Sequence, residues 1–299
     1  MTVFMFIGQG NPPPWVAPDV LAAKPVASLV TLASELVGID VMKLLVRGGR
    51  DLDRCEVLQP AMIAVCTGIV RLLDDAGVRP SIVVGHSLGE ISAWMASGAI
   101  TAEDAVRVAA LRGRLMAREA ALHPGGMVRL KGNHEACDRA IDVGARAGKA
   151  WLGAHNAPDE FAISGDEPAL AAIIPAFSVV RLPVVGAWHC PAMAGALDEL
   201  TAALSALPRR APHARLVTNR DGTFAEPAAI PALLAGQLVH PVEWAACLHT
   251  IAAAGASRFL AIGPGKSLRA LVYRNLGTDT SVDIVDSLDS IADAARAAA

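Results

Sequence analysis

Residues Gly85-His86-Ser87-Leu88-Gly89 fit the pattern G-x-S-x-G. A β-branched run, Ser81–Val84, precedes them, and a helical stretch, Leu88–Ser97, follows. This is the setting in which the pattern works as a nucleophile elbow. The serine sits on a sharp strand-to-helix turn, and the glycines let the neighbouring backbone come close. The helix N-terminus aims amide N–H groups and a positive dipole at a developing oxyanion. The plainer reading is a glycine-rich turn with a capping serine. A nucleophilic serine needs a base, usually histidine, and the chain has eight. His86 is expected to point to the opposite side of the turn. His123, His134 and His213 fall in polar or loop segments. His189 follows the apolar run Arg181–Val185 and precedes Pro191, which places it at a strand-to-helix junction, where sites gather in α/β folds. By pattern alone it leads His155 and His240 only modestly.

The elements that must position these groups read as α/β. Val3–Ile7 predicts a buried strand running into Gly8-Gln9-Gly10, and Pro12, Pro13 and Pro14 then force a loop. Helices are expected over Pro25–Val37, Pro60–Ala76, Leu88–Ser97 and Ala102–Ala121, the last capped by Thr101. Composition changes at Gly125-Gly126. From there the pattern reads strand (Met127–Lys131), helix (His134–Ala147), strand (Ala150–His155), strand (Glu160–Ser164), helix (Glu167–Phe177) and strand (Ser178–Pro183). That βαββαβ order predicts a small ferredoxin-like domain, residues 124–186, inserted in a large α/β domain made of 1–123 and 187–299. The return path predicts a helix over Cys190–Leu207, a strand near Leu216–Thr218, and helices over Ala229–Val239 and Pro241–Ala254. A strand, Arg258–Ile262, then runs into Gly263-Pro264-Gly265, and Ile291–Ala299 reads as a frayed terminal helix.

Composition excludes several classes. The chain of 299 residues carries 26 basic and 29 acidic side chains, a formal charge of −3, and is 53% hydrophobic. Such a chain buries a large core and is not disordered. It lacks the basic excess of a nucleic-acid or membrane-surface protein. No uninterrupted apolar stretch of about 18 residues predicts a membrane span, and Thr2–Gly8 is too short for a signal peptide. Five scattered cysteines without CxxC predict free thiols in a reducing cytoplasm and no zinc site.

Eight motifs in order make the chain resemble the malonyl-CoA:acyl-carrier-protein transacylases and the acyltransferase domains of polyketide synthases, over nearly its whole length. They are Gly8-Gln9-Gly10, Leu58-Gln59-Pro60-Ala61, Gly85–Glu90, Leu111-Arg112-Gly113-Arg114-Leu115-Met116, Asn156-Ala157-Pro158 with Ile163-Ser164-Gly165, Gly186-Ala187-Trp188-His189, Pro241-Val242-Glu243-Trp244, and Gly263-Pro264-Gly265-Lys266. The resemblance implies an α/β-hydrolase-like large domain with a parallel sheet core. It implies Ser87 as nucleophile and His189 as its base, oriented by a backbone carbonyl in place of a carboxylate. The N–H groups of Gln9 and Leu88 would form the oxyanion hole. Arg112 would hold the malonyl carboxylate, and Gln59 would line the substrate pocket and help position Arg112. Arg112 stands in an otherwise apolar stretch, and a buried arginine needs an anion partner. Trp188 would crowd the carbon between the two malonyl carbonyls and favour malonyl over methylmalonyl. The family more often has Phe there. Asn156, placed on a loop of the small domain, would help shape the channel. A second departure is Asn11-Pro12-Pro13-Pro14, where the family usually has Ser or Ala and then Gln.

The implied activity is malonyl transfer from malonyl-CoA to the phosphopantetheine thiol of an acyl carrier protein, by a monomer with no metal or cofactor, in fatty acid or polyketide synthesis. Three alternatives use parts of the same pattern. An acyl hydrolase clearing carrier proteins would lack the arginine clamp. A non-catalytic docking module would not need Ser87, His189 and Arg112. An α/β-hydrolase esterase would need an acid between serine and histidine in chain order, and the aspartates there lie mostly in the insert.

Overall fold

The computed structural model describes residues 1–9 and 15–298. Gly10 and the Asn11–Pro14 loop expected after it lie outside the described residues. The strands are β1 (Thr2–Phe6), β2 (Ile82–Gly85), β3 (Gly125–Lys131), β4 (Ala150–Ala157), β5 (Glu160–Asp166), β6 (Val179–Arg181), β7 (Arg215–Val217), β8 (Arg258–Ile262) and β9 (Val282–Val285). Five of them form a parallel sheet in the order β7-β2-β1-β8-β9. Its central strands are short apolar runs buried on both faces, as parallel strands covered by helices must be. Phe6 stands in register with both Gly85 and Ile262, so β1, β2 and β8 end at one level. The loops leaving that level carry Gly8-Gln9 and Ser87.

The other four strands form an antiparallel sheet in the order β4-β5-β3-β6. In sequence this stretch runs strand, helix, strand, strand, helix, strand. It has a core of its own, in which Val128, Leu130, Phe161, Ile163, Leu170 and Ile173 pack together. The larger core surrounds the parallel sheet and includes Trp94, Trp244, Phe4, Phe6 and Phe259.

Several boundaries differ from the sequence reading. The second long helix begins at Cys55 and has Pro60 inside it. The missing N–H of a proline is cheap only near a helix start, which is why the pattern pointed to Pro60 as the start. Here burial of both Gln59 and Pro60 against the core outweighs that cost. This helix, Cys55–Asp75, is long and apolar enough by composition to cross a membrane, yet 78% of its most apolar window is buried inside the fold. The stretch Cys190–Leu207 is a 3-10 turn (Pro191–Ala196) followed by an α-helix (Leu197–Ala206). Helices Pro18–Ala22 and Val41–Arg47 and the edge strand β9 carried too little periodicity to be read. Thr101 does cap Ala102–Leu122, accepting a hydrogen bond from the Asp104 N–H at 3.1 Å.

Candidate active site

Ser87 lies between β2 and the helix Gly89–Ala96. Its φ is +52°, and His189 has φ +58°. They are the two non-glycine residues with positive φ among the described residues. Such backbone costs on the order of 1–3 kcal/mol and persists where the surroundings over-determine it, commonly at reacting groups. Ser87 Oγ donates to His189 Nε2 at 2.7 Å, and His189 Nδ1–H donates to the Gln237 backbone carbonyl at 2.9 Å. The carbonyl fixes the tautomer and leaves Nε2 free to accept a proton. Burial, and then the Arg112 charge, push the His189 pKa down to about 3, so the imidazole is neutral. None of His123, His134, His155, His213 or His240 is bonded to Ser87. His155 instead stacks on Phe161 and faces Glu243 at 3.5 Å.

The turn around Ser87 depends on two glycines. A Cβ on Gly85 would overlap the backbone of Gly89 and Glu90, and one on Gly89 would overlap the Phe6 and Ile7 carbonyls. The helix therefore starts directly against β1. Asn219, just beyond β7, accepts the Ser87 N–H at 2.7 Å and donates to the Gly85 carbonyl at 2.6 Å. These two bonds pin the strained turn from both sides.

Arg112 is 2% exposed. Nη1 donates to Gln59 Oε1 at 3.0 Å, and Nη2 donates to Gln237 Oε1 at 3.0 Å and to Ser87 Oγ at 3.4 Å. Within the protein its partners are thus neutral oxygens, and burial lowers the guanidinium pKa to about 10. Gln59 is fully buried within its helix and, against expectation, does not line the cleft that opens onto Ser87; it also reaches Gln9 and Met116. Arg114, two residues further along the helix and so on its other face, is exposed.

A cleft of about 410 Å³ opens onto Ser87 and His189. Gln9, Trp188, Asn156 and Arg129 line it, with Leu271 and Arg274 on its far wall. Arg112 does not line it and lies behind Ser87, beside Ile91, Leu200 and Leu234. The three groups meet at the Ser87 hydroxyl, with the serine and histidine on the open side and the guanidinium on the closed side. Two further placements correct the sequence reading. Asn156 lies near the end of β4, in the strand and not on a loop. His86 lines the same cleft from the Asn156 side, its Nε2 2.8 Å from Asn156 Oδ1, and does not face away. Leu88 is buried and leads into the helix. Trp188 is 3% exposed, its ring lying over Gly186 and Ala120. Cys190 bonds the Ala187 carbonyl, and burial pushes its thiol up to about 11, which suits packing.

Sequence reasoning missed Asn219, Gln237 and Glu90 as site residues. Gln237 is the single polar side chain in the apolar run from Ala229 to Val239, which is a usable signal. Asn219 follows a strand end and has no such mark. Among the described residues no group of histidine, cysteine, aspartate and glutamate could hold a metal ion.

Fold and site together define an α/β protein with a serine–histidine pair at the carboxyl ends of its parallel strands. The family described as "Acyl transferase domain" matches residues 3–285. The malonyl CoA-acyl carrier protein transacylase of Salmonella typhimurium is 31% identical over 289 residues, covering 93% of this chain and 94% of that protein. The crystal structure of MCAT from Streptococcus pneumoniae superposes with a TM-score of 0.88 at 29% identity, over 99% of this chain and 100% of that one. A malonyl-transacylase in complex with a type II polyketide synthase acyl-carrier protein superposes with a TM-score of 0.90 at 30% identity, over 99% of both chains. The chain belongs to the acyl transferase domain family and is an acyltransferase.

Proposed function

We propose that the protein moves a malonyl group from malonyl-CoA to the phosphopantetheine thiol of an acyl carrier protein through an ester on Ser87, for fatty acid or polyketide synthesis. The observation that carries this reading is the Ser87 hydroxyl, which donates to His189 at 2.7 Å and accepts from a buried arginine at 3.4 Å. His189 Nε2 takes the hydroxyl proton as Oγ attacks the thioester carbonyl. The N–H groups of Gln9 and Leu88 are assigned to the resulting oxyanion, a contribution typically worth about 10²–10³ in rate per donor. The intermediate collapses, the C–S bond breaks, and the CoA sulfur leaves with the proton from His189. The carrier thiol then gives its proton to His189, attacks the ester carbonyl and returns Oγ–H to Ser87. One thioester replaces another, so the cycle needs no ATP, metal or resident cofactor, and kinetics are ping-pong.

The malonyl carboxylate is assigned to Arg112, whose fork can bind it bidentately. It would replace one of the neutral oxygens now held there. It would also offset the guanidinium charge that helps to hold His189 down, making the base stronger when the right acyl group is bound. Trp188 is assigned to exclusion of α-branched acyl groups, and Asn156 to the channel wall. We assign residues 124–186 to a small domain and the remainder to a large one, and we place the enzyme in the cytoplasm as a monomer.

Mass spectrometry of the protein after brief exposure to malonyl-CoA, then to holo carrier protein, tests the reading. A malonyl adduct on Ser87 that passes to the carrier is expected. Rapid release of free malonate without transfer would make the protein a hydrolase. The Ser87→Ala variant is expected to form no adduct, and an adduct at another residue would refute the assignment.

A further inference from the structure

Gln237 touches more of the reacting apparatus than any assigned residue does. Its backbone carbonyl holds His189, and its side-chain oxygen holds Arg112 at 3.0 Å. Its amide nitrogen donates to the Ser87 carbonyl at 3.0 Å and to Glu90 Oε2. Gln237 is 1% exposed and Glu90 is fully buried. Glu90 lies in the helix Gly89–Ala96, and its other oxygen accepts the Asn219 N–H at 3.1 Å.

A primary amide presents an oxygen on one side and an NH₂ on the other, and sterically the two can exchange by a flip. A guanidinium offers only donors, and a carboxylate, the form Glu90 takes above about pH 7, offers only acceptors. Gln237 lies between one of each. In the observed orientation its oxygen faces Arg112 and its nitrogen faces Glu90, and both contacts are satisfied. A flip would set NH₂ against the guanidinium and oxygen against both the carboxylate and the Ser87 carbonyl, at side chains buried away from solvent.

We propose that Glu90 is a positioning residue for acyl selection: its carboxylate locks the Gln237 amide so that the amide oxygen aims Arg112 at the substrate carboxylate. The inference rests on the malonyl reading of Arg112. Substituting Glu90→Gln keeps the size and removes the lock. Whichever way the new amide turns, an NH₂ group meets another donor, either at Gln237 or at the Asn219 N–H. Where it meets Gln237, that side chain is driven to flip and Arg112 loses its guide.

The test compares wild type, Glu90→Gln and Gln237→Met in three assays at pH 8, where Glu90 is ionised. These are malonyl transfer to holo carrier protein with KM and kcat separated, acylation by acetyl-CoA, and the rate of inactivation by phenylmethylsulfonyl fluoride. The last reads the Ser87–His189 pair without needing Arg112. Gln237→Met retains the backbone carbonyl to His189 and removes only the amide. The expected result is a malonyl-CoA KM raised roughly tenfold in both variants, the scale of one lost hydrogen bond to a charged group. Acetyl acylation and sulfonyl fluoride inactivation are expected to fall much less. Equal losses in all three assays, or an unchanged malonyl KM in either variant, would overturn the proposal. If Glu90→Gln does not fold, as judged by circular dichroism, an unchanged KM in Gln237→Met overturns it alone, and a selective loss there supports it. Failure of wild type itself to transfer malonyl would instead remove the functional reading beneath it.

Discussion

Ser87 and His189 adopt left-handed backbone without being glycine; the Ser87 N–H donates to Asn219, and the His189 ring donates to the Gln237 carbonyl. Burial sets the charge states. Arg112→Ala is expected to reduce malonyl transfer by two or more orders of magnitude and acetyl transfer far less, because only malonyl brings a carboxylate that would be left unpaired, a loss of about 3 kcal/mol. Steady-state kinetics with both acyl-CoAs decides this, and equal losses would make Arg112 structural. The titrating groups give a second prediction. Burial pushes Glu90 up to about 7 from 4.5, so between those pH values the folded protein holds a proton that the unfolded chain has released. That contribution to stability falls as pH rises from 4.5 to 7 and stays lost above. His189, down at about 3 from 6.5, acts oppositely: its contribution is lost as pH falls below 6.5, because only the unfolded chain can take the proton. In thermal unfolding, the deficit of Glu90→Gln against wild type is therefore expected to shrink or reverse from pH 5 to pH 8. A deficit that grows with pH would contradict the raised Glu90 pKa.

At the scale of elements, the site depends on how closely the helix Gly89–Ala96 approaches β1. The backbone of Phe6 and Ile7 occupies the space a side chain at position 89 would need. Backbone cannot rotate away as a side chain can, so Gly89→Ala must push the helix off the sheet. The expected cost is about 3 kcal/mol or more, the range of severe core overpacking. Chemical denaturation measures it, and a loss under about 1 kcal/mol would show that the elbow tolerates displacement. The helix Cys55–Asp75 contributes in another way. It buries Gln59 among apolar neighbours, where the side chain has little to bond except Arg112, Gln9 and Met116.

Across the whole molecule, the cleft lies between the two sheets, with Ser87 and His189 on one side and Met127, Arg129 and Ala162 on the other. The antiparallel sheet is stitched to the rest of the fold by backbone bonds between Gly153–His155 and Val242, at 3.0 and 2.9 Å, and by Asn275 of the helix Lys266–Leu276 donating to the Asn156 carbonyl at 2.8 Å. Arg274 reaches from the helix Lys266–Leu276 to Asp159 and Glu160 on the antiparallel sheet. Glu160 is 7% exposed, so removing its partner strands a buried carboxylate. Arg274→Ala is expected to cost on the order of 1–3 kcal/mol and to raise amide exchange at 157–160 more than in β1 or β8. Uniform exchange across both sheets would show that the pair does not hold the cleft together.

Local chemistry was legible in the sequence wherever a residue type answers to its immediate neighbours. G-x-S-x-G marks a turn because only glycine admits the close backbone approach, the β-branched runs mark buried parallel strands, and Thr101 marks a helix start. Ser87, His189, Arg112 and Gln59 could be named from motifs in order, although by pattern alone His189 led its rivals only modestly. Gln237 and Asn219 could not, because their roles come from atoms between 48 and 150 positions away in the chain that meet them only after folding. For the same reason the neutral oxygens beside Arg112 were not legible: burial dictates that the guanidinium be bonded, and only the packed arrangement of four distant segments decides to which protein groups.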